Sequence, residues 1–446
     1  MGKQQTSFVC GACGAESPTW SGKCFSCGEW NTLEKQVAAS GGSLGSGLLL
    51  EVQPMVSAVR HDSKRIKTGM NDIDVIFGGG VVPGSVTLIA GEPGIGKSTL
   101  LLQIAANAAK HTKVLYVSGE ESVHQVGLRA KRLGIGSKAL NLAASNRAED
   151  IATTIASGGQ QLVVVDSIQT ISCEAASGST GSVSQITSCT NLLMNATKNS
   201  NTALLLVGHV TKEGSIAGPK LLEHIVDVVM QLEGDRYGGF KVLRSVKNRF
   251  GNTNEVAILE MHEKGLLPVD NPSKALLAER QITDGSVVLA TMEGSRPVLV
   301  EVQALVNKTS YGYPKRAASG IDINRLNLLV AMLERRTKLN LQDKDIYINI
   351  VGGIRISEPA SDLALCMAIG SATKGLQLKK NAVVFGEVGL SGEIRHVPYV
   401  DKRIAEAKKL GFDAAIGPKE RGKREAFLYV AQDVRTALNT FLESPR

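Results

Sequence analysis

Aromatic residues make up only 4% of this 446-residue chain, with two tryptophans and seven tyrosines. Beside a hydrophobic content of 43%, that scarcity fits an α/β architecture better than a disordered or disulfide-stapled chain. No run of about 18 apolar residues occurs, so no membrane-spanning helix is expected. Neither sign of charge dominates: 50 Lys and Arg stand against 42 Asp and Glu, a net +8. Such an excess, spread thinly, permits a polyanionic partner without requiring one. The chain also lacks an apolar leader, since Cys10 and Cys13 arrive almost at once. The expectation is a cytoplasmic protein with reduced thiols, in which the N-x-[S/T] matches at Asn195 and Asn307 are chance. The length allows two to four domains.

Cysteine is scarce but gathered. Cys10-x-x-Cys13 and Cys24-x-x-Cys27 form two knuckles within 27 residues. Four soft ligands in paired CxxC turns suit a closed, tetrahedral structural zinc site. A redox CxxC or disulfides are the alternatives, and the doubling of the motif favours zinc. Trp20, Phe25 and Trp30 are expected to pack around this module, which is too small to fold on aromatic burial alone; base stacking is their other reading. Cys173, Cys189 and Cys366 read as small buried apolar residues. Residues 1–34 thus form a zinc module, and 35–59 a Gly/Ser-rich linker. Residues 60–270 form a nucleotide-binding domain that opens on a basic patch, Arg60–Lys67, read as a solvated surface. Residues 271–446 form a second domain.

The most informative stretch runs Val86-Thr-Leu-Ile-Ala-Gly-Glu-Pro-Gly-Ile-Gly-Lys-Ser-Thr99. Gly91, Gly96, Lys97 and Ser98 fill the G-x-x-x-x-G-K-[S/T] template of a P-loop. Gly91, Glu92, Pro93, Gly94, Ile95, Gly96, Lys97, Ser98 and Thr99 would wrap phosphates with inward N–H groups at a helix start. Lys97 would reach the β/γ-phosphates, and the Ser98 hydroxyl would ligate magnesium. From there strands and helices alternate, with strands at Lys113–Ser118, Leu162–Asp166 and Ala203–Gly208. Helices lie near Val123–Leu133, Ala148–Ala156 and Ser184–Lys198. The alternation argues for a mostly parallel sheet with helices on both faces.

Asp166 ends the apolar strand Leu162–Val165, the Walker B arrangement, where a carboxylate can orient magnesium or its water. Glu120 and Glu121 close another strand, and either can activate the attacking water or simply favour a helix N-terminus. His209 ends a third strand, placed to sense the γ-phosphate or to serve structure alone.

The paired CxxC module, Thr68-Gly-Met-Asn-Asp-Ile-Asp-Val-Ile-Phe-Gly-Gly-Gly80, the P-loop, and Lys247-Asn-Arg-Phe-Gly251 together resemble the bacterial RadA (Sms) family of DNA repair proteins. The resemblance covers essentially the whole chain. It implies a RecA-like ATPase, using ATP, Mg²⁺ and Zn²⁺, that works as a homo-hexamer related to replicative helicases. Such a protein would extend or migrate branched DNA, bind single-stranded DNA, and act with the recombinase RecA. It further implies that Glu120 activates water and His209 senses the γ-phosphate. Lys247 and Arg249 would reach across a subunit interface to the neighbour's nucleotide, where a cation stabilises charge on the transferring phosphoryl. The polar loops Thr170–Ser184 and Thr211–Lys220, with Lys212 and Lys220, resemble DNA-contacting loops, or are plain surface. A regulatory ATPase that remodels recombinase filaments without translocating is the rival reading.

In the second half, strands Ser286–Met292, Pro297–Val306, Ile346–Ile350 and Ala382–Phe385 interleave with helices Asn324–Lys338, Ser361–Thr373 and Asp401–Leu410. Gly352-Gly353, Glu358-Pro-Ala-Ser-Asp-Leu-Ala364 and Gly386-Glu-Val-Gly-Leu-Ser-Gly-Glu-Ile-Arg395 resemble the Lon protease domain. That chemistry needs a Ser activated by a Lys, where this chain has Ala360 and Asp401. Ser361 and Lys402 lie one residue off, an offset of about 100° on a helix. The domain is therefore expected to be a non-proteolytic scaffold for oligomerisation and DNA binding, against an attached peptidase as the alternative. The loop Tyr311-Gly-Tyr-Pro-Lys-Arg316, with Lys308, is expected to hold duplex DNA or to be ordinary surface.

Overall fold

The computed structural model describes residues 6–10, 15–17, 19–37, 64–136, 139–209, 220–234, 240–310, 312–419 and 426–444. The chain divides into two compact units, Met1–Asp62 and Ser63–Arg446. In the first unit, β1 (Thr6–Cys10) pairs antiparallel with both β2 (Glu16–Ser17) and β3 (Leu33–Val37). Cys10, Cys24 and Leu33 make its core, with Phe8 and Ala15 against them. The expected aromatic packing does not occur: Trp20 is 59%, Phe25 86% and Trp30 68% exposed. Thiols and a short ladder fill so small an interior, leaving no room for three large rings.

The second unit begins with α1 (Asn71–Ile76), β4 (Val86–Gly91), α2 (Lys97–Ala108), β5 (Val114–Ser118), α3 (Val123–Arg132) and β6 (Leu140–Ala144). It continues with α4 (Ala148–Ala156), β7 (Leu162–Asp166), α5 (Val183–Ser200), β8 (Ala203–His209), α6 (Lys220–Ile225) and β9 (Val228–Gly234). Three further strands follow, β10 (Phe240–Asn248), β11 (Val256–His262) and β12 (Gly265–Pro268). Among the described residues these strands form one nine-stranded sheet, ordered β12-β11-β10-β9-β4-β8-β7-β5-β6. The ladders from β9 through β6 are parallel and those from β9 to β12 antiparallel.

Central strands read as unbroken apolar runs because both faces are covered. Successive residues alternate between two cores: Ile89 and Val164 face α1, α2 and α3, while Leu88 and Val163 face α4 and α5. The sequence reading located β4, β5, β7, β8 and their helices but missed β6 and the whole run β9–β12. β6 is a half-exposed edge, and β9–β12 lack the strand–helix alternation that the reading followed.

The remaining chain places α7 (Pro272–Leu276) before β13 (Ser286–Glu293), β14 (Arg296–Lys308), β15 (Arg316–Ser319), α8 (Ile323–Thr337) and β16 (Lys344–Ile350). Then come α9 (Asp362–Lys374), β17 (Gln377–Leu378), β18 (Ala382–Val384), β19 (Glu387–Val388), β20 (Ile394–Arg395) and α10 (Val400–Lys409). β21 (Ala414–Gly417), β22 (Leu428–Val430), α11 (Val434–Thr440) and β23 (Leu442–Glu443) complete it. Its main sheet is ordered β15-β16-β14-β13-β18-β21-β22. The two sheets share a wall. On β10 and β11, Leu243, Ala257 and Leu259 belong to the nucleotide-domain core. Their alternating neighbours Val242, Val256 and Ile258 are buried in the C-terminal core. Period-two alternation gives one hairpin to two interiors.

Candidate nucleotide-binding and hydrolysis site

Strand register assembles the site. Gly91 of β4 lies beside His209 of β8, Ser118 of β5 beside Asp166 of β7, and Val165 beside Leu206. Adjacent parallel strands thus release their carboxyl ends on one edge, where ligands of open α/β sheets bind. The P-loop leaves β4 there. Gly96, at φ 114°, caps α2 in a left-handed conformation open to glycine. A Cβ on Gly91 would meet the Leu232 carbonyl at 2.6 Å. Ile95 is buried and anchors the loop; Pro93 and Gly94 are exposed at its tip, Glu92 partly so, and Ser98 and Thr99 start α2 half-buried.

Lys97 is 3% exposed and donates to the carbonyls of Gly91 at 2.8 Å and Glu92 at 2.9 Å. Burial pulls its pKa down to about 8, against the opposing pull of Asp166, Glu120 and Glu92. Asp166, 7% exposed, accepts from the Tyr116 hydroxyl at 2.5 Å and lies 4.0 Å from Arg129 Nη1. Burial first, and then the Asp166 charge, hold the Tyr116 hydroxyl well above its ordinary pKa, keeping it a donor.

The two adjacent acids separate cleanly. Arg129 pairs with Glu121. Glu120 Oε1 instead accepts from Ser167 Oγ at 2.7 Å and lies 3.8 Å from His209 Nε2. Burial, then the Lys97 charge, lowers the His209 pKa and favours the neutral imidazole. Gln169 Nε2 donates to the His209 carbonyl at 3.4 Å. Glu120 and His209 therefore face one another at the strand edge that carries Lys97 and Asp166. Magnesium takes hard oxygen ligands and few of them from protein; the Asp166 carboxylate and Ser98 hydroxyl are donors of that kind.

Lys247 and Arg249 stand elsewhere. Lys247 is paired with Val229, and Val228 and Leu232 lie beside Thr87 and Gly91 of β4. Val229 lies beside Leu88, so Lys247 stands roughly 10 Å of strand from Gly91, and Arg249, past the end of β10, stands farther toward the amino end of β4. Lys247 Nζ donates to the carbonyls of Glu223 at 2.6 Å and Val226 at 2.8 Å, behind α6. Arg249 pairs with Asp227 at 2.9 Å, whose other oxygen accepts from Val86 N at 3.1 Å.

Of the two loops expected near DNA, Lys212 lies outside the described residues, as does the Lys220 side chain. The loop 170–184 carries Glu174 and no cation. Gln185, 5% exposed, staples it by donating to the carbonyls of Ala176 at 2.6 Å and Cys173 at 3.2 Å. Tyr311 also lies outside the described residues; Tyr313 is 88% exposed and Lys308 exposed beside it.

The would-be peptidase centre is filled. Ala360 is buried, and Ser361 Oγ donates to the Glu358 carbonyl at 2.8 Å. Asp401 is exposed, and Lys402 Nζ donates to the Ser295 carbonyl at 3.1 Å. Between them Arg403, fully buried, pairs with Glu358 and donates to the Ala290 carbonyl at 2.5 Å. Among the described residues, Ser361 and Lys402 form no dyad.

In the N-terminal unit the sulfurs of Cys10, Cys24 and Cys27 lie within 4.8 Å of one another, with Cys10 and Cys27 at 3.7 Å. A tetrahedral zinc with bonds of ~2.3 Å separates its sulfurs by roughly 3.8 Å, so the three fit. The backbone N–H of Cys27, then that of Ser26, holds the Cys24 pKa below its ordinary value, favouring a thiolate. Cys13 lies outside the described residues.

Tyr116, Arg129, Ser167, Gln169 and Gln185 were missed from sequence. Arg129 lies in α3 and Glu121 precedes its N-cap Ser122, so helical spacing gave no signal for their pairing. The others show no pattern outside their tertiary setting.

Comparison with known proteins agrees with this layout. Residues 61–215 match the AAA domain model, 8–35 the rubredoxin metal binding domain, and 326–421 the ChlI subunit of Mg-chelatase. The DNA repair protein RadA of Aquifex aeolicus is 48% identical, over 94% of this chain and 94% of that one. Those of Bacillus subtilis and Halalkalibacterium halodurans are 47% and 46% identical, each over 94% of this chain and 93% of theirs. At 46–48% identity over 94% of its length, the chain belongs to the RadA family of DNA repair proteins.

Proposed function

We propose that this chain is a DNA-dependent ATPase of recombinational repair, working as a homo-hexameric, helicase-like motor that migrates or extends branched DNA intermediates alongside RecA. The observation that carries this reading is the placement of Lys247 and Arg249 at the far end of β4 from their own P-loop. Cations there cannot serve the nucleotide of their own subunit; in a ring they meet the neighbour's. Hydrolysis then becomes a property of the interface, which is what a ring motor requires.

Within one site, Lys97 would leave its loop carbonyls for the β/γ-phosphates. Glu120 would take the proton of the attacking water, positioned by Ser167. His209, at the root of the 210–219 segment, would report the γ-phosphate. Magnesium, held by Ser98 and Asp166, would supply neutralisation of phosphate charge. From the neighbour, Arg249 would exchange Asp227 for phosphate oxygens; cations in trans contribute about 10³–10⁵ to turnover in related NTPases. Zinc would hold the thiol cluster closed as a structural site. Among the described residues no helix is long and apolar enough to cross a membrane, and a cytoplasmic setting goes with reduced thiols.

The deciding experiment compares ATP hydrolysis with and without single-stranded DNA, for the native chain and Lys97→Ala, together with strand displacement in the absence of recombinase. DNA stimulation lost in Lys97→Ala, with directional displacement, supports the motor. DNA binding without effect on turnover overturns it.

A further inference from the structure

We propose that the Gly294–Ser295 turn of the C-terminal domain is the positioning element for Lys247 and Arg249, so that this domain sets how far those cations reach toward a neighbouring nucleotide. The proposal rests on the reading that the two cations act in trans.

The cations sit where β10 ends and the chain crosses to β11 through residues 249–255. One flank of this crossing is tied to the nucleotide domain. Asn248 Nδ2 donates to the Ile76 carbonyl at 3.0 Å, and Arg65 Nη2 to the Phe250 carbonyl at 3.1 Å. The other flank is tied to the C-terminal domain. The Asn254 carbonyl accepts from Ser295 N at 2.6 Å, and Ser295 Oγ donates to Glu255 at 2.8 Å. Gly294, at φ 59°, lies so close that a Cβ would overlap the Asn254 carbonyl. Only glycine allows this approach.

The turn is itself held from behind. Lys402 Nζ on α10 donates to the Ser295 carbonyl at 3.1 Å. Arg296 reaches Asp72 at 3.3 Å and the Asp270 carbonyl at 2.8 Å. Glu293, 4% exposed, receives Arg244 of β10 at 3.1 Å, and Arg244 also meets Glu233 of β9 at 3.2 Å. Val242, Val256 and Ile258 of the same hairpin are buried in the C-terminal core. A shift of the C-terminal domain therefore carries the hairpin with it, and Lys247 and Arg249 are the hairpin's end. Force from DNA on that domain would be felt as a change in the neighbour's transition state.

The test uses the full-length protein and single-stranded DNA, and measures kcat, KM and the affinity of a fluorescent ADP analogue. Gly294→Ala drives a methyl into the Asn254 carbonyl; Ser295→Ala removes the tie to Glu255, and Ser295→Thr retains it. Because cations in trans act on the transition state, Gly294→Ala is expected to lower kcat about tenfold, inside the roughly hundredfold that a ~1 Å misplacement costs. KM and ADP affinity stay within about twofold. Ser295→Ala lowers kcat about threefold on the same ground, and Ser295→Thr recovers it. Should Gly294→Ala fail to fold, the Ser295 pair decides. A full kcat in Ser295→Ala or in folded Gly294→Ala, while Lys247→Ala loses turnover, overturns the proposal. Parallel losses of kcat and ADP affinity overturn it too, since they mark general loosening. Full turnover in Lys247→Ala overturns instead the reading on which the proposal stands.

Discussion

Ser167 Oγ donates to Glu120 Oε1 at 2.7 Å, so the residue following Asp166 orients the acid that closes the neighbouring strand. The carboxylates proposed for metal and for water are thereby set by one strand end. Glu121, one residue on, is committed to Arg129. Glu120→Gln is expected to cut ATP turnover by about a hundredfold or more, the scale of lost general-base catalysis, with ADP affinity retained. Glu121→Gln should stay within about tenfold of native turnover on the same scale. Steady-state kinetics of the two variants checks the assignment; a reversed order would move the base to Glu121.

Lys97 titrates near pH 8 in the nucleotide-free protein because burial opposes its charge. Bound phosphates favour the charged form and raise that pKa. Nucleotide binding at pH 8 should therefore take up roughly half a proton, and at pH 6.5 almost none, since Lys97 is then already charged. Calorimetry in buffers of different ionisation enthalpy reads this directly, and Lys97→Met should abolish the difference. The same shift makes the nucleotide-free protein gain stability between about pH 8 and pH 10.5, where the unfolded chain binds more protons.

Tyr116→Phe removes the hydroxyl that Asp166 accepts inside the sheet edge. A hydrogen bond to a charged group contributes about 1.5–3 kcal/mol, so the melting temperature should fall. A less firmly oriented Asp166 should also raise the magnesium concentration needed for half-maximal turnover. Unchanged magnesium dependence would confine Tyr116 to a structural role.

Subunits carrying Lys97→Ala and subunits carrying Arg249→Ala should each hydrolyse ATP poorly alone, yet regain activity when mixed. In the proposed ring, some mixed interfaces would pair an intact P-loop with an intact cation. Absence of any recovery on mixing would place Arg249 outside the neighbour's site.

Cys24→Ser should release zinc, measured with a metallochromic dye, because three of the sulfurs already stand at ligand spacing. DNA-free hydrolysis should stay within about twofold, since a structural zinc site takes no part in the chemistry assigned to Lys97, Glu120 and Asp166.

The P-loop, Asp166 and the paired cysteines were legible in the sequence because their chemistry demands fixed residue types at short spacing. The parallel core was legible for a related reason: strands buried on both faces show as apolar runs between helices. Local pattern could not say which of Glu120 and Glu121 turns toward Ser167 and His209, because Arg129 takes up Glu121 from two turns along α3. Nor could it say that Trp20, Phe25 and Trp30 stay outside their module, which depends on what already fills it. The hairpin β10–β11 was silent for the same cause that makes it important: each face serves a different core, and neither core is local. Spacing thus identified the candidate groups, while long-range register decided which face one another and which, like Lys247 and Arg249, stand apart from the P-loop of their own chain.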